Sequence, residues 1–137
     1  MGRRNLDHMR AIDAAWNRRQ WADYATHFED GLIAWISGEA KPHGKAEHLL
    51  RAQQFCAAYP DARVDEDYLD LFLSIDGQTT CSVALLKGTA GSQAFRTPFA
   101  VICKWRDGRV VEQREFFDHM FFNDQPGPLA VSKGDDS

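Results

Sequence analysis

Two Asp-Gly pairs, Asp76-Gly77 and Asp107-Gly108, each stand between runs in which apolar and polar residues alternate. No other feature constrains the fold as strongly. A two-residue turn between antiparallel strands needs positive φ at its central positions, and Asp-Gly supplies it at little steric cost. Residues 63–75 are apolar at 64, 69, 71, 73 and 75. Residues 78–88 alternate with Cys81, Val83 and Leu85 on one face, and residues 95–105 with Phe95, Phe99, Val101, Cys103 and Trp105. Residues 109–122 close the series. The pattern predicts a meander of four long antiparallel strands.

The first half reads as helix. Leu6, Met9, Ile12 and Trp16 recur at helical spacing, so residues 6–20 are expected to form an amphipathic helix, with Asn5 as its N-cap. A second short helix is expected over residues 21–28, and "GLIAWIS" (31–37) as a strand ending at Gly38. "GEAKPHG" reads as a loop, and "KAEHLLRAQQFCAAYP" as a helix that stops before Pro60. Helices gathered ahead of an antiparallel sheet define an α+β class. The expectation is a single domain over residues 1–125 and a flexible C-terminal tail over 126–137, which is rich in Pro, Gly, Ser and Asp.

At 137 residues and 44% hydrophobic content, the chain is long enough to bury a sizeable core. Sixteen Lys and Arg against twenty Asp and Glu argue against nucleic acid, which needs a clustered positive surface. No apolar run reaches the length of a membrane span. The opening "MGRRNLDHMR" lacks the apolar core of a signal peptide, so a cytoplasmic location is expected. Cys56, Cys81 and Cys103 form no CxxC pair and read as small buried hydrophobes. His8, His27, His43 and His48 offer no set completed by a carboxylate, so no metal is expected.

Three short texts in fixed order carry a resemblance: Tyr59-Pro60-Asp61, Gly88-Thr89, and Asp107-Gly108-Arg109-Val110 closing on Asp118. Their layout over residues 6–125 resembles the SnoaL-like polyketide cyclases, within the superfamily of nuclear transport factor two and ketosteroid isomerase. Ala90 stands where that family's Gly-Thr-His text has its histidine. The resemblance implies a cone-shaped α+β barrel, with N-terminal helices packed on a strongly curved, mostly antiparallel sheet. It further implies a homodimer, and ring closure by an intramolecular aldol reaction in which the acid of the last strand moves the proton.

In a regular last strand, residues 110, 112, 114, 116, 118 and 120 share one face. Asp118 would then stand between Phe116 and Met120 on a cavity wall, where lost hydration raises a carboxyl's pKa toward the range useful for proton transfer. Arg114 on the same face could hold an enolate or carboxylate, or could pair with Asp118 or Glu112. His43, just before the third helix, is a second acid/base candidate. Tyr24 and Trp35 are expected near the cavity mouth. Phe117 and Phe121, on the opposite face, are expected at the dimer surface. The leading expectation is cofactor-free aldol cyclisation, isomerisation or dehydration of a small apolar, carbonyl-bearing molecule of polyketide- or steroid-like type. The alternative is a non-catalytic ligand-binding or dimerisation domain. A cavity of about 300 Å³ or more would favour the first.

Overall fold

A computed structural model describes residues 3–118. Within them lie three helices: α1 (Arg3–Asn17), α2 (Trp21–Thr26) and α3 (Lys45–Ala58). The six strands are β1 (Phe28–Ile36), β2 (Arg63–Val64), β3 (Asp70–Leu73), β4 (Thr79–Ala90), β5 (Gln93–Arg106) and β6 (Arg109–Phe117). They make one sheet in the order β1-β6-β5-β4-β2, with β3 also paired to β4. Every pairing is antiparallel except β1 with β6. Helices on a mostly antiparallel sheet give the α+β architecture expected from the sequence.

Asp107-Gly108 behaves as its chemistry requires. Both residues have positive φ, at 51° and 80°, and Arg106 pairs directly with Arg109 across the turn. At Asp76-Gly77 only Gly77 has positive φ. The loop there is longer, and Asp76 closes it by accepting hydrogen bonds from Ser74 Oγ and the Gln78 N–H. The hairpin between β4 and β5 runs further than the alternation suggested, turning on Gly91 (φ 64°) and Ser92 between Ala90 and Gln93.

The run at 63–75 is two strands, β2 and β3, and both pair with β4. Asp65 breaks them apart by accepting from the Asp67 N–H, a local turn that competes with strand pairing. Asn5 caps nothing, because α1 begins before it. Its side chain donates instead to the Gly77 carbonyl at 2.7 Å, tying the helix to the β3–β4 loop.

The buried face of β4 is Thr80, Ser82, Ala84 and Leu86, not the Cys81–Val83–Leu85 row. Small side chains there let α1 approach the sheet. Met9 Sδ lies 3.9 Å from both Thr80 Oγ1 and Cys103 Sγ. The buried face of β5 is the odd-numbered one, as the alternation indicated. Cys56 and Cys103 are buried. Burial raises the Cys56 thiol to about 11, which suits hydrophobic filling rather than nucleophilic attack.

The motif Tyr59-Pro60-Asp61 meets Gly88-Thr89 as a structural clamp. Asp61 accepts hydrogen bonds from the Thr89 N–H at 3.0 Å and from Thr89 Oγ1 at 2.6 Å, joining the end of α3 to β4. Gly88 is required by space: a Cβ there would stand 2.6 Å from the Phe95 ring and 3.1 Å from the Ala62 Cα. Gly88→Ala is therefore expected to destabilise the fold by about 1–3 kcal/mol, read by denaturant unfolding. A change within experimental error would mean that the Phe95 ring yields freely.

Candidate functional site

Two core clusters meet at Trp16 and Phe99, each of which packs against both. Between the helices and the inner sheet face they leave a cavity of about 110 Å³. Its apolar wall includes Trp16, Phe55, Phe99 and Phe117. Its polar lining comes from four directions. Asp13 projects from α1, Tyr24 from α2, and His43, His48 and Arg51 from α3 and the loop before it. Gln113 and Glu115 project from β6.

The β6 contribution departs from the sequence expectation, and the cause is local. Trp105 pairs with Val110 and Lys104 with Glu112, so Val111 is an extra residue on β6. Such a bulge exchanges the two faces of a strand beyond it. Val110 points into the core, and after the bulge Gln113, Glu115 and Phe117 continue that inward face. Phe117 is thus a cavity residue and not an outer-surface one. Arg114 and Phe116 fall on the outside. Arg114 Nε donates to Glu112 Oε2 at 3.1 Å, and its guanidinium lies 5.5 Å from the Trp35 ring centroid. Phe116 is 44% exposed. Asp118 is exposed, and neither it nor Trp35 is a lining residue. Met120, His119 and Phe121 lie outside the described residues, as does the tail at 126–137.

Tyr24 and His43, by contrast, do line the cavity. Helical arithmetic separates His43 from His48, but His43 precedes the helix and forms a backbone bridge with Ala34. The two imidazoles stack with centroids 5.9 Å apart. His43 Nδ1 lies 3.1 Å from Glu39 Oε1. A carboxylate at that distance fixes the proton on Nδ1 and leaves Nε2 as the acceptor. Arg51 Nη1 is 3.5 Å from the same Nδ1, but it donates to Glu39 Oε2 at 2.6 Å, the far shorter contact. His43 Nε2 is buried and has no hydrogen-bond partner among the described residues.

Burial sets the protonation of the whole group. It lowers His43, against the opposing pull of Glu39. It lowers His48 to about 3, with the charges of His43 and Arg51 adding, so His48 is neutral. His48 Nε2 lies 3.1 Å from the Tyr24 hydroxyl, which burial holds protonated. Burial raises Glu115 to about 7, helped by the charge of Asp13 and opposed by a hydrogen bond from Gln113. Glu115 keeps some accessibility because it lines a hollow, while protein surrounds its carboxyl. Burial likewise raises Asp13 to about 7, and here the hydroxyl of Tyr68, which donates to Asp13 Oδ2, pulls the other way.

Sequence reasoning missed Glu115, Asp13, Glu39 and Arg51. Asp13 was detectable as an acid inside the apolar stripe Met9–Ile12–Trp16. Glu115 was hidden by the bulge. Ala90 contributes nothing to the cavity: it packs beside the second core cluster, so the departure from Gly-Thr-His removes no cavity group.

No curated protein sequence matches the chain. Solved structures do. A candidate polyketide cyclase from Xanthomonas campestris pv. campestris superimposes with a TM-score of 0.78 at 15% identity, over 90% of this chain and 96% of that one. Wild-type IdmH from Streptomyces antibioticus gives 0.76 at 16% identity, over 95% and 98%. Bal32a, from a soil-derived mobile gene cassette, gives 0.76 at 17% identity, over 88% and 93%. At these identities the likeness is one of fold. The model of the SnoaL-like polyketide cyclases matches residues 6–125. The chain belongs to the SnoaL-like polyketide cyclase family.

Proposed function

We propose that the chain performs acid/base chemistry, without a cofactor, on a compact carbonyl-bearing molecule held in this cavity. One observation carries the reading: an unpartnered neutral imidazole nitrogen, on His43, and a carboxyl that titrates near neutrality, on Glu115, line the same apolar hollow. In this mechanism His43 Nε2 takes a proton from the carbon next to the carbonyl. The C–H electron pair moves onto the oxygen as an enolate, and Glu115 in its acid form donates a proton to that oxygen. Return of the proton from His43 to a different carbon, with the enol proton going back to Glu115, gives isomerisation. Attack of the enol carbon on a second carbonyl, whose oxygen takes the proton held by His43 while the enol proton returns to Glu115, gives ring closure. Glu39 holds the imidazole by Nδ1 and stabilises the imidazolium that forms.

The volume limits the substrate. A cavity of about 150 Å³ takes up benzene, so 110 Å³ suits one small ring or the reacting end of a larger molecule. The same figure, below about 300 Å³, is what favours the second reading, a domain of this fold that binds or assembles without catalysis.

Exchange of the α-protons of cyclopentanone in D2O, followed by proton NMR, separates the two readings. The protein is expected to accelerate exchange above buffer. His43→Gln should reduce that acceleration by about tenfold or more, and Asp118→Asn should leave it intact. No acceleration by the native protein would favour the second reading. Loss in Asp118→Asn with none in His43→Gln would move the chemistry to the end of β6.

A further inference from the structure

We propose that the substrate of this cavity is a short oxo acid, with its ketone inside the hollow and its carboxylate held at the mouth by Arg51. The inference rests on the reading of the cavity as an acid/base site and names the class of molecule that the site admits.

Arg51 is placed for this. It lines the hollow, yet its side chain is 32% exposed, so the guanidinium borders both the cavity and solvent. A guanidinium carries five N–H donors. The Nε–H goes to Glu47 at 2.9 Å, and one N–H of Nη1 goes to Glu39 at 2.6 Å. The other contact of Nη1 is His43 Nδ1 at 3.5 Å, a nitrogen whose own proton points to Glu39. Both N–H groups of Nη2 make no hydrogen bond among the described residues. A planar fork of N–H donors matches the two oxygens of a carboxylate, and the bonds it makes to an anion are stronger than those to a neutral oxygen.

The rest of the lining tolerates an anion at that position. Asp13 and Glu115 hold their protons up to about 7, so below that pH they present O–H groups and no charge. His43 and His48, lowered by burial, stay neutral, as does Tyr24. Glu39 and Glu47 already share the charge of Arg51. The gain from a ligand carboxylate is therefore that of charge-assisted hydrogen bonds at a wet rim, and not that of a buried ion pair. The rim also leaves the anion partly hydrated, which avoids most of the cost of burying it. The apolar wall of Trp16, Phe55 and Phe99 takes the uncharged end.

A carboxylate on Arg51 works with the proposed chemistry. The guanidinium and the His43 imidazole are neighbours, so the anion lies beside the base. A negative charge there stabilises the imidazolium that forms and keeps on Glu115 the proton that the ketone oxygen receives. The carboxylate itself makes and breaks no bond. Because Arg51 and His43 adjoin, the acidic C–H and the carboxylate must be only a few bonds apart, as they are in a 4-oxo acid.

The test compares D2O exchange of the α-protons of 4-oxopentanoate and 2-pentanone, which differ only in a carboxylate in place of one terminal methyl group. Each rate is divided by its rate in buffer, at about pH 6.5, where Glu115 is largely protonated, and at about 0.15 M salt. The native protein is expected to accelerate 4-oxopentanoate at least about tenfold more than 2-pentanone. Arg51→Gln should bring that ratio to within about twofold of unity, and Arg51→Lys, which keeps the charge without the fork, to an intermediate value. The ratio is internal to each protein, so a general loss of activity from loosening Glu39 and His43 does not move it. For a variant too slow to assay, NMR titrations read at the Trp16 indole and the Gln113 amide give the same comparison as affinities. Equal acceleration of both ketones by the native protein would overturn the oxo-acid assignment and leave the acid/base reading standing. A preference that survives Arg51→Gln would overturn the role of Arg51. Tight binding of 4-oxopentanoate without exchange, lost in Arg51→Gln, would retain the carboxylate site and remove the acid/base reading, and binding of neither ketone would remove both.

Discussion

Glu115→Gln is expected to lower catalysed α-proton exchange by about a hundredfold or more and, in the same protein, to raise stability at pH 8. Both effects come from one carboxyl. In the unfolded chain Glu115 ionises near its ordinary 4.5, whereas in the fold burial holds it protonated until about 7. The folded state therefore binds the extra proton across that interval. Its stabilising contribution is complete below pH 4.5 and is lost as pH rises through 7. Gln fills the same space and never ionises, so the variant escapes the loss. A gain on the order of 1–3 kcal/mol over the native protein at pH 8, shrinking to nothing near pH 4, is the expected result of urea unfolding. His48 tilts the curve the other way at acid pH. Lowered to about 3, it contributes stability above 6.5 that fades as pH falls, and it does so equally in both proteins. Exchange at the native rate would remove Glu115 from the chemistry. Loss of exchange together with loss of stability would mark the substitution as a packing defect.

Phe28→Ala is expected to cost about 3–5 kcal/mol, the range for removing a fully buried aromatic ring. Phe28 is 1% exposed. Its ring lies 5.1 Å from that of Tyr24 and 4.9 Å from that of His48, centroid to centroid. The loss would therefore reach the Tyr24–His48 pair that borders the cavity, and catalysed α-proton exchange should fall with the stability. Phe116→Ala, at a residue 44% exposed, serves as the contrast, with an expected cost of about 1 kcal/mol or less. Equal costs at the two positions would mean that the core does not close around Phe28 as described. Chemical denaturation of the three proteins at one pH decides it.

These two contrasts also show which parts of the molecule could be read from the residues. The Asp-Gly turn at 107–108, the limits of α3 and the inward face of β5 all follow from short-range rules, in which a residue's neighbours in sequence determine its geometry. The face of β4 did not follow, because small inward residues were demanded by the approach of α1, a contact between distant segments. Phe28 was expected to close the second helix, over residues 21–28, but α2 stops at Thr26 and Phe28 opens β1, a start that nothing nearby in sequence marks. The site suffered most from one event. Everything assigned to residues 112–118 depended on strict alternation from Val110 onward, and Val111 interrupts it. His43 was found because a helix start has a sequence signature, but its partner Glu39 lies in a loop whose path only the folded chain defines.

The extra residue at Val111 has an evolutionary meaning. Strand β6 carries two alternative sets of side chains. One is Gln113, Glu115 and Phe117, and the other is Glu112, Arg114 and Phe116 with Asp118 beyond its end. Unbroken pairing of the same residues with β5, with Val111 opposite Lys104, would present the second set to the cavity in place of the first. An arginine and an aspartate would then occupy the wall now held by a glutamine and a glutamate. The usual route to new chemistry in a fixed scaffold changes side chains one at a time. Here a one-residue slip of register beyond Val110 exchanges the whole row in one step, and the outer row is a stored repertoire as well as a surface.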